Sequence, residues 1–322
     1  MRIWRWAGWS AAAFAVTVSL VNASWIAPRS RGPLILVAHK GIAQRFDHQG
    51  ITDRTCTAAR MIPSDHDFID NTLRSFSNAR HFGADAIMLE VHPTGDGQMV
   101  VFHDWTVDCR TDGHGAVRNL TLAELKKLDV GYGYTADGGR TFPLRGRGVG
   151  GMPTVEETLR EVARMRLIFH FKSKDPGDAD KLVAALRRAG ATIDGRFGFF
   201  GHPRVVDRVK ALAPGAWIIT KEAGKACLVD YLKTGWTGFV PASCRNTTVI
   251  VPLNYQWAIW GWPKRFIARM EGVGTRVILT GDYKDGGAAG LERPEQLAKV
   301  PRDFRGYLWI DDFYEVGRAL EK

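Results

Sequence analysis

What most restricts the fold of this chain is a repeated alternation between short apolar, β-rich runs and stretches with helical spacing. The β-rich runs fall at residues 34–38, 86–91, 99–102, 167–171, 197–200, 217–220, 238–240, 276–279 and 307–310. Several are apolar at consecutive positions, so both faces of the strand need covering, as in a parallel sheet flanked by helices. Helical spacing lies between them, with Leu73, Phe76 and Ala79 in 72–82, and with the stretches 179–189 and 204–212. Thr121 followed by Glu124, and Thr154 followed by Glu157, form capping boxes that start two helices. Gly95-Asp96-Gly97 marks a hairpin-like turn after the second run. With about eight strand–helix units and no Gly-rich dinucleotide fingerprint, a closed α/β (βα)8 TIM barrel is expected over an open doubly wound sheet. The 322 residues suit one such barrel of about 250 residues with extensions. The Gly- and aromatic-rich stretch 129–151 is expected to be a long surface loop.

Residues 1–30 differ in character from the barrel segment, 31–322. Arg2 and Arg5 precede an apolar run over 7–26, and Arg29 and Arg31 follow it. Roughly twenty residues at 1.5 Å each match a ~30 Å hydrocarbon core, so an N-terminal hydrophobic helix acting as a membrane anchor is expected. Val21-Asn22-Ala23 also suits signal-peptidase cleavage; either way the domain is exported. Cys56, Cys109, Cys227 and Cys244 are even in number and lack zinc-ligand spacing. In an oxidising compartment they pair, most economically as Cys56–Cys109 and Cys227–Cys244, although sequence leaves three connectivities open. The formal charge of +10 suits an anionic surface or substrate, and no nucleic-acid motif accompanies it.

Chemistry-bearing residues recur where the β-rich runs end: His39 and Lys40, Glu90 and His92, His103 and Asp104, His170 and Lys172, then Lys221. In a (βα)8 barrel these ends converge on one face, where enzymes of this architecture keep their sites. Several titratable groups at successive strand ends are more than a random surface supplies, and the imidazoles among them can give or take a proton near neutral pH.

The order of local motifs is specific. Ala38-His39-Lys40-Gly41, Asp70-Asn71-Thr72, the run from Gly83 to His92, and Val100-Val101-Phe102-His103-Asp104 occur in sequence. Thr111-Asp112-Gly113-His114-Gly115, Leu120-Thr121-Leu122-Ala123-Glu124-Leu125 and Met152-Pro153-Thr154 follow. The series resembles the glycerophosphodiester phosphodiesterase family, of the phospholipase C-like phosphodiesterase superfamily. That family carries His-Arg-Gly, Glu-Asn-Thr, Glu-x-Asp and His-Asp in this order. The resemblance is strong from His39 to Thr154 and weaker beyond. It implies hydrolysis of glycerophosphodiesters or phospholipid head groups to glycerol phosphate and an alcohol. It also implies acid–base roles for His39 and His103, and phosphate contacts from Lys40 and Lys172.

Four positions depart from the family pattern. Lys40 replaces an arginine fork with a point charge. Met88 stands where the first acidic metal ligand falls, Glu90 where the second does, and His170 where the third does. The resemblance implies a divalent ion, Mg²⁺ or Ca²⁺. The substitutions leave three outcomes open: a zinc or manganese site from Glu90, His170 and Asp70 or His92; chemistry with no metal; or an inactive barrel that binds phosphodiester head groups at the cell envelope.

Two further segments carry expectations. The insertion 42–69 contains Arg45, Asp47, His48, Arg54 and Cys56, and a Cys56–Cys109 bridge would pin it as a wall beside His103. Tyr255, Trp257, Trp260, Trp262 and Phe266, next to Lys264 and Arg265, suit either helix packing or a lipid headgroup region.

Overall fold

The computed structural model describes residues 2–28, 30–52, 55–284 and 287–320, so Arg29 and Arg54 lie outside the described residues. The chain runs α1 (Arg2–Asn22), β1 (Leu34–His39), α2 (Leu73–His81), β2 (Ala86–Pro93), β3 (Met99–Val101), α3 (Leu122–Leu125) and α4 (Val155–Glu161). It continues β4 (Arg166–Phe171), α5 (Pro176–Arg188), β5 (Phe197–Phe200), α6 (Pro203–Leu212), β6 (Trp217–Ile219) and α7 (Lys221–Thr234). The last third holds β7 (Thr248–Pro252), α8 (Lys264–Gly272), β8 (Arg276–Thr280), β9 (Tyr283–Lys284), β10 (Gly287–Ala288), β11 (Gly306–Ile310) and α9 (Phe313–Leu320).

Eight strands pair in parallel in the order β6-β5-β4-β2-β1-β11-β8-β7, and β3 adds antiparallel to β2. The two ends of this path, β6 and β7, are bridged by Trp217 Nε1 donating to Thr248 Oγ1 at 2.7 Å. The result is a nearly closed TIM barrel.

Strand periodicity then decides what enters the lumen. Ile35 and Val37 of β1, Ala86 and Met88 of β2, Ile168 of β4, Ile219 of β6, Ile278 of β8 and Trp309 of β11 pack into one buried cluster inside the barrel. Continuing each strand by two residues toward its C-terminal end reaches His39, Glu90, His170 and Asp311. The register pairs His39 with Met88 and Glu90 with His170, so the polar layer caps the apolar one. Side chains of the opposite parity, such as Leu89, Phe169 and Phe199, pack outward against Phe76, Leu182 and Val206 of the helices.

Local sequence chemistry starts the helices as expected. Thr121 N donates to Glu124 Oε2 at 2.7 Å and Thr154 N to Glu157 Oε2 at 2.7 Å, each with the reciprocal bond to the threonine hydroxyl. The cysteines pair as Cys56–Cys109 and Cys227–Cys244.

Three expectations need correction. The strand expected at 238–240 is absent; Gly238 adopts φ 90° after a 3₁₀ turn, Phe239 is exposed, and the barrel strand is Thr248–Pro252. The Gly238 turn redirects the chain, and the β-branched run after Asn246 supplies the strand instead. The stretch 129–151 carries no helix or strand, as expected of a loop, but it is more than a surface one. Asp129 accepts amide hydrogens from Gly131 and Gly148 at 2.9 Å, and Val130, Tyr134, Leu144 and Met152 join Met61, Phe102 and Val107 in a second core. The N-terminal helix forms, but no described helix is long and apolar enough to cross a membrane. Ser10, Thr17, Ser19 and Asn22 dilute its apolar run.

Candidate active site

The site begins with two residues held in an unusual backbone conformation. Lys40 and Asn71 have φ of 65° and 58°, a left-handed region that costs a side-chain-bearing residue roughly 1–3 kcal/mol. Both are held by hydrogen bonds: Lys40 N to Met88 O at 2.7 Å, and Asn71 N to Lys40 O at 2.9 Å. Gly41 continues the turn at φ 76°, where a Cβ would lie 2.5 Å from Ser75 Oγ. This turn brings Asn71 Nδ2 within 3.1 Å of Glu90 Oε2.

Glu90, buried to 1% exposure, is the hub. Its Oε1 lies 3.1 Å from His39 Nε2 and 3.9 Å from both His170 Nδ1 and Lys172 Nζ. Lys172 Nζ is in turn 3.3 Å from His103 Nε2. The structure therefore brings together His39, Glu90, His103, His170 and Lys172, five residues drawn from three parallel strands and the β3 loop.

Each of the two key imidazoles has a carboxylate on its other nitrogen. His39 Nδ1 lies 2.8 Å from Asp311 Oδ1, and Asp311 is fixed by Trp309 Nε1 and Gly290 N, both at 2.8 Å. His103 Nδ1 lies 2.5 Å from Asp104 Oδ1, and Arg110 Nε donates to Asp104 Oδ2 at 3.0 Å. The environments then push the two rings apart. Burial opposes charge on His39, but Asp311 and Glu90 together outweigh it and raise its pKa above the usual 6.5. Burial and the Lys172 ammonium lower His103 to about 4 despite Asp104. Burial likewise lowers His170 and His92 to about 4. Burial opposes ionisation of Glu90, yet Lys172, His170 and His39 hold its pKa well below the usual range. His39 is thus biased toward its charged form and His103 toward its neutral form, with Nδ1 of His103 on Asp104 and Nε2 facing Lys172.

The sequence-derived metal ligands do not form a donor set. Met88 is packed in the lumen cluster at 1% exposure. Asp70 accepts from the Tyr134 hydroxyl and from Arg110 Nη1 at 3.0 Å, so its charge is spent on a structural pair and not on the Glu90 hub. His92 turns its ring toward Trp105, 5.4 Å away. Among the described residues, no group of three His, Cys, Asp or Glu side chains is arranged to hold a metal ion. A hard divalent ion wants several free oxygens; here a thioether, an imidazole and an already paired carboxylate stand in those places, so the residues do not fit Mg²⁺ or Ca²⁺.

Several functional neighbours escaped the sequence reading. Asp311 follows β11 as Glu90 and His170 lie at the ends of β2 and β4, and extending the strand-end rule to the last strand would have found it. Trp309 packs edge-on to His39 with centroids 5.0 Å apart, and Phe200 stacks on His170 at 4.6 Å. Arg110, buried, ties the site to the insertion: besides Asp104 and Asp70 it reaches Thr57 Oγ1 at 2.8 Å, next to the Cys56–Cys109 bridge. Arg45 does the same at the last strand, 3.1 Å from Asp312. Lys221, by contrast, is an exposed first residue of α7.

Comparison with known proteins matches this geometry. The family model for the glycerophosphoryl diester phosphodiesterase family matches residues 57–192. A glycerophosphodiester phosphodiesterase of Caldanaerobacter subterraneus subsp. tengcongensis is 34% identical over 152 residues, covering 45% of this chain and 58% of that protein. One of Bacillus subtilis is 34% identical over 125 residues, 37% of this chain and 41% of that protein. The chain thus matches less than two thirds of the length of these relatives. In structure, the glycerophosphoryl diester phosphodiesterase domain of an uncharacterized Mycobacterium tuberculosis protein superposes with TM-score 0.63 at 16% identity, over 90% of this chain and 99% of that one. An Oleispira antarctica phosphodiesterase solved with the product sn-glycerol-3-phosphate gives TM-score 0.57 at 16% identity, over 93% and 99%. At such identity these structures speak for the fold, and the sequence match is local: over residues 57–192, this chain is similar to the glycerophosphoryl diester phosphodiesterase family.

Proposed function

We propose that the chain hydrolyses glycerophosphodiesters to glycerol phosphate and an alcohol by paired histidine acid–base catalysis. The observation that carries the reading is the chain of contacts from His39 through Glu90 and Lys172 to His103, with surroundings that shift the two imidazoles in opposite directions. A phosphate seated near Lys40 and Lys172 presents phosphorus between the rings. His103 Nε2 takes the proton from a water as its oxygen bonds to phosphorus; where a glycerol hydroxyl attacks instead, water opens the resulting cyclic phosphate in a second displacement. The phosphorus–oxygen bond to the alcohol breaks, and His39 Nε2–H, released from Glu90, supplies the proton to the departing oxygen. Two imidazoles pushed toward opposite protonation states are what such a division of labour requires.

The test uses the full chain against glycerophosphocholine and bis(p-nitrophenyl) phosphate. His103→Ala is expected to abolish turnover of both. His39→Ala is expected to spare the second substrate, whose nitrophenolate leaves without a proton. Ligand binding with no turnover of either by the parent chain would make this a head-group binding protein instead, a reading that the substitutions at Met88 and His170 favour.

An exported location is part of the same proposal. Four cysteines in two disulfides support an oxidising compartment. Contact with a lipid surface is supported by exposed Trp6, Trp9 and Trp25 in the N-terminal segment and by Trp257 at 81% exposure. Co-flotation with anionic vesicles, lost in a Trp6→Ser/Trp9→Ser/Trp25→Ser variant, is the check.

A further inference from the structure

The donor set at the barrel mouth conflicts with the divalent ion that the family resemblance implies, and the conflict has a positive side. Each carboxylate of the site already has a counter-charge from the chain. Asp70 and Asp104 lie 3.0 Å from the Arg110 guanidinium, and Asp311 lies 2.8 Å from His39. Glu90 is shared between His39 at 3.1 Å and Lys172 at 3.9 Å. A divalent cation entering here would meet Lys172 and His39 before it met an unshared oxygen. An incoming phosphodiester anion meets the reverse: Lys172 backed by Glu90, and Lys40 at 7% exposure, with its ammonium 5.7 Å from the Phe46 ring centre. The Lys40–Asn71 turn ties the Lys40 backbone to β2 through Lys40 N and Met88 O at 2.7 Å, and Asn71 Nδ2 donates to Glu90 Oε2 at 3.1 Å.

We infer that the phosphoryl group is held by Lys40 and Lys172 without a resident divalent ion, these two ammoniums supplying the charge that relatives draw from a metal. The inference deepens the phosphodiesterase reading for the same site, but it concerns how the phosphate is bound and stands or falls separately from turnover. The position of Lys172 is central: its ammonium touches both the buried carboxylate and the proposed base, so the cation that neutralises phosphate charge also keeps His103 unprotonated. The two carboxylates that the family pattern places at Met88 and His170 would disrupt this arrangement, because each would need a cation that the chain does not provide.

The experiment is calorimetric titration of the full chain, stripped with chelator, with inorganic phosphate and with sn-glycerol-3-phosphate, repeated in Mg²⁺, Ca²⁺, Mn²⁺ or Zn²⁺. Expected are affinities that change less than about threefold with any ion, and a loss on the order of 10²-fold in Lys172→Gln, the usual weight of one charged contact to a phosphoryl oxygen. Lys40→Gln should weaken binding in the same direction. Circular dichroism shows that each variant is folded, and Lys172→Arg, which keeps the charge, should restore most of the affinity. Binding that appears only with a divalent ion, binding indifferent to Lys172→Gln in a folded variant, or no binding of either anion under any condition overturns the inference. If turnover is absent while chelator-insensitive binding persists, the catalytic reading fails and the metal-free phosphate site stands.

Discussion

Replacing Asp311 by Asn tests whether the second carboxylate on His39 is what makes that ring an acid. The substitution keeps the shape, and the amide oxygen can still accept from Trp309 Nε1 and Gly290 N, but the charge 2.8 Å from His39 Nδ1 disappears. Burial, helped by the Lys172 ammonium, lowers the neighbouring rings of His92, His103 and His170 to about 4, and Asp311 is the largest of the influences that lift His39 in the other direction. Without it the His39 pKa should fall toward that group, and each unit below the assay pH removes about tenfold of the protonated ring. At pH 7 the expected loss in kcat/KM for glycerophosphocholine is on the order of 10²-fold, with the alkaline limb moved to lower pH. Turnover of bis(p-nitrophenyl) phosphate, which needs no acid, should fall far less. The same pair affects stability. Against burial, His39 with help from Lys40 and the Gly290 amide lowers Asp311 to about 2, a net stabilisation of about 2 kcal/mol for these contacts together. It is present above pH ~4, where the unfolded carboxyl is ionised, and is lost as pH falls through about 2. On the other side it is complete below the unfolded histidine value of ~6.5 and fades as pH rises through the raised folded value. The destabilisation of Asp311→Asn should therefore be greatest at mildly acidic pH. A folded Asp311→Asn protein with an unmoved alkaline limb and equal losses on both substrates would refute the reasoning.

The parent chain should show a bell-shaped kcat/KM profile. Its acid limb should lie near pH 4, set by His103 among Asp104, Lys172, Glu90 and Lys40, and its alkaline limb above 6.5, set by His39 among Asp311 and Glu90; a single limb near 6.5 would rule out the opposed pair. Arg110→Ala leaves Asp70 and Asp104 without their buried partner, and denaturant titration should show a loss of about 3–5 kcal/mol. Cys56→Ser/Cys109→Ser opens a loop spanning 53 residues, which chain entropy values at about 4 kcal/mol, with little change in phosphate binding if the bridge acts only through stability.

The barrel was legible because its wall is written in strands that are apolar on both faces. The one misplaced strand shows where that signal weakens. At 238–240 a short Gly-Phe-Val run imitates a strand, but its glycine adopts a positive φ and its phenylalanine faces solvent, while Thr248–Pro252 is the segment that pairs with β8. Composition cannot tell these apart; the neighbours that cover them can. The stretch 129–151, a loop as expected, shows a related limit. Its glycines read as loop residues, whereas Asp129 organises their amides into a folded lobe whose apolar contacts come from residues far away in sequence, such as Met61 and Val107.

For the site, position along a strand proved more informative than residue type. His39, Glu90 and His170 are marked in the sequence by strand ends and by the family motifs, and all reach one polar layer. Asp70 was chosen because a carboxylate in the right motif suits a cation, and that cation turned out to be the Arg110 guanidinium. Nothing local to Asp70 announces Arg110, which arrives from the loop after β3 and is held there by the insertion through Thr57. The same argument explains Met88. On β2 it occupies the lumen parity, one step below Glu90, where the barrel requires packing with Ile168 and Trp309 as much as chemistry. A carboxylate there would be a buried charge, tolerable only with a counter-ion beside it. The methionine removes that demand, as the proposed metal-free phosphate site held by lysine requires.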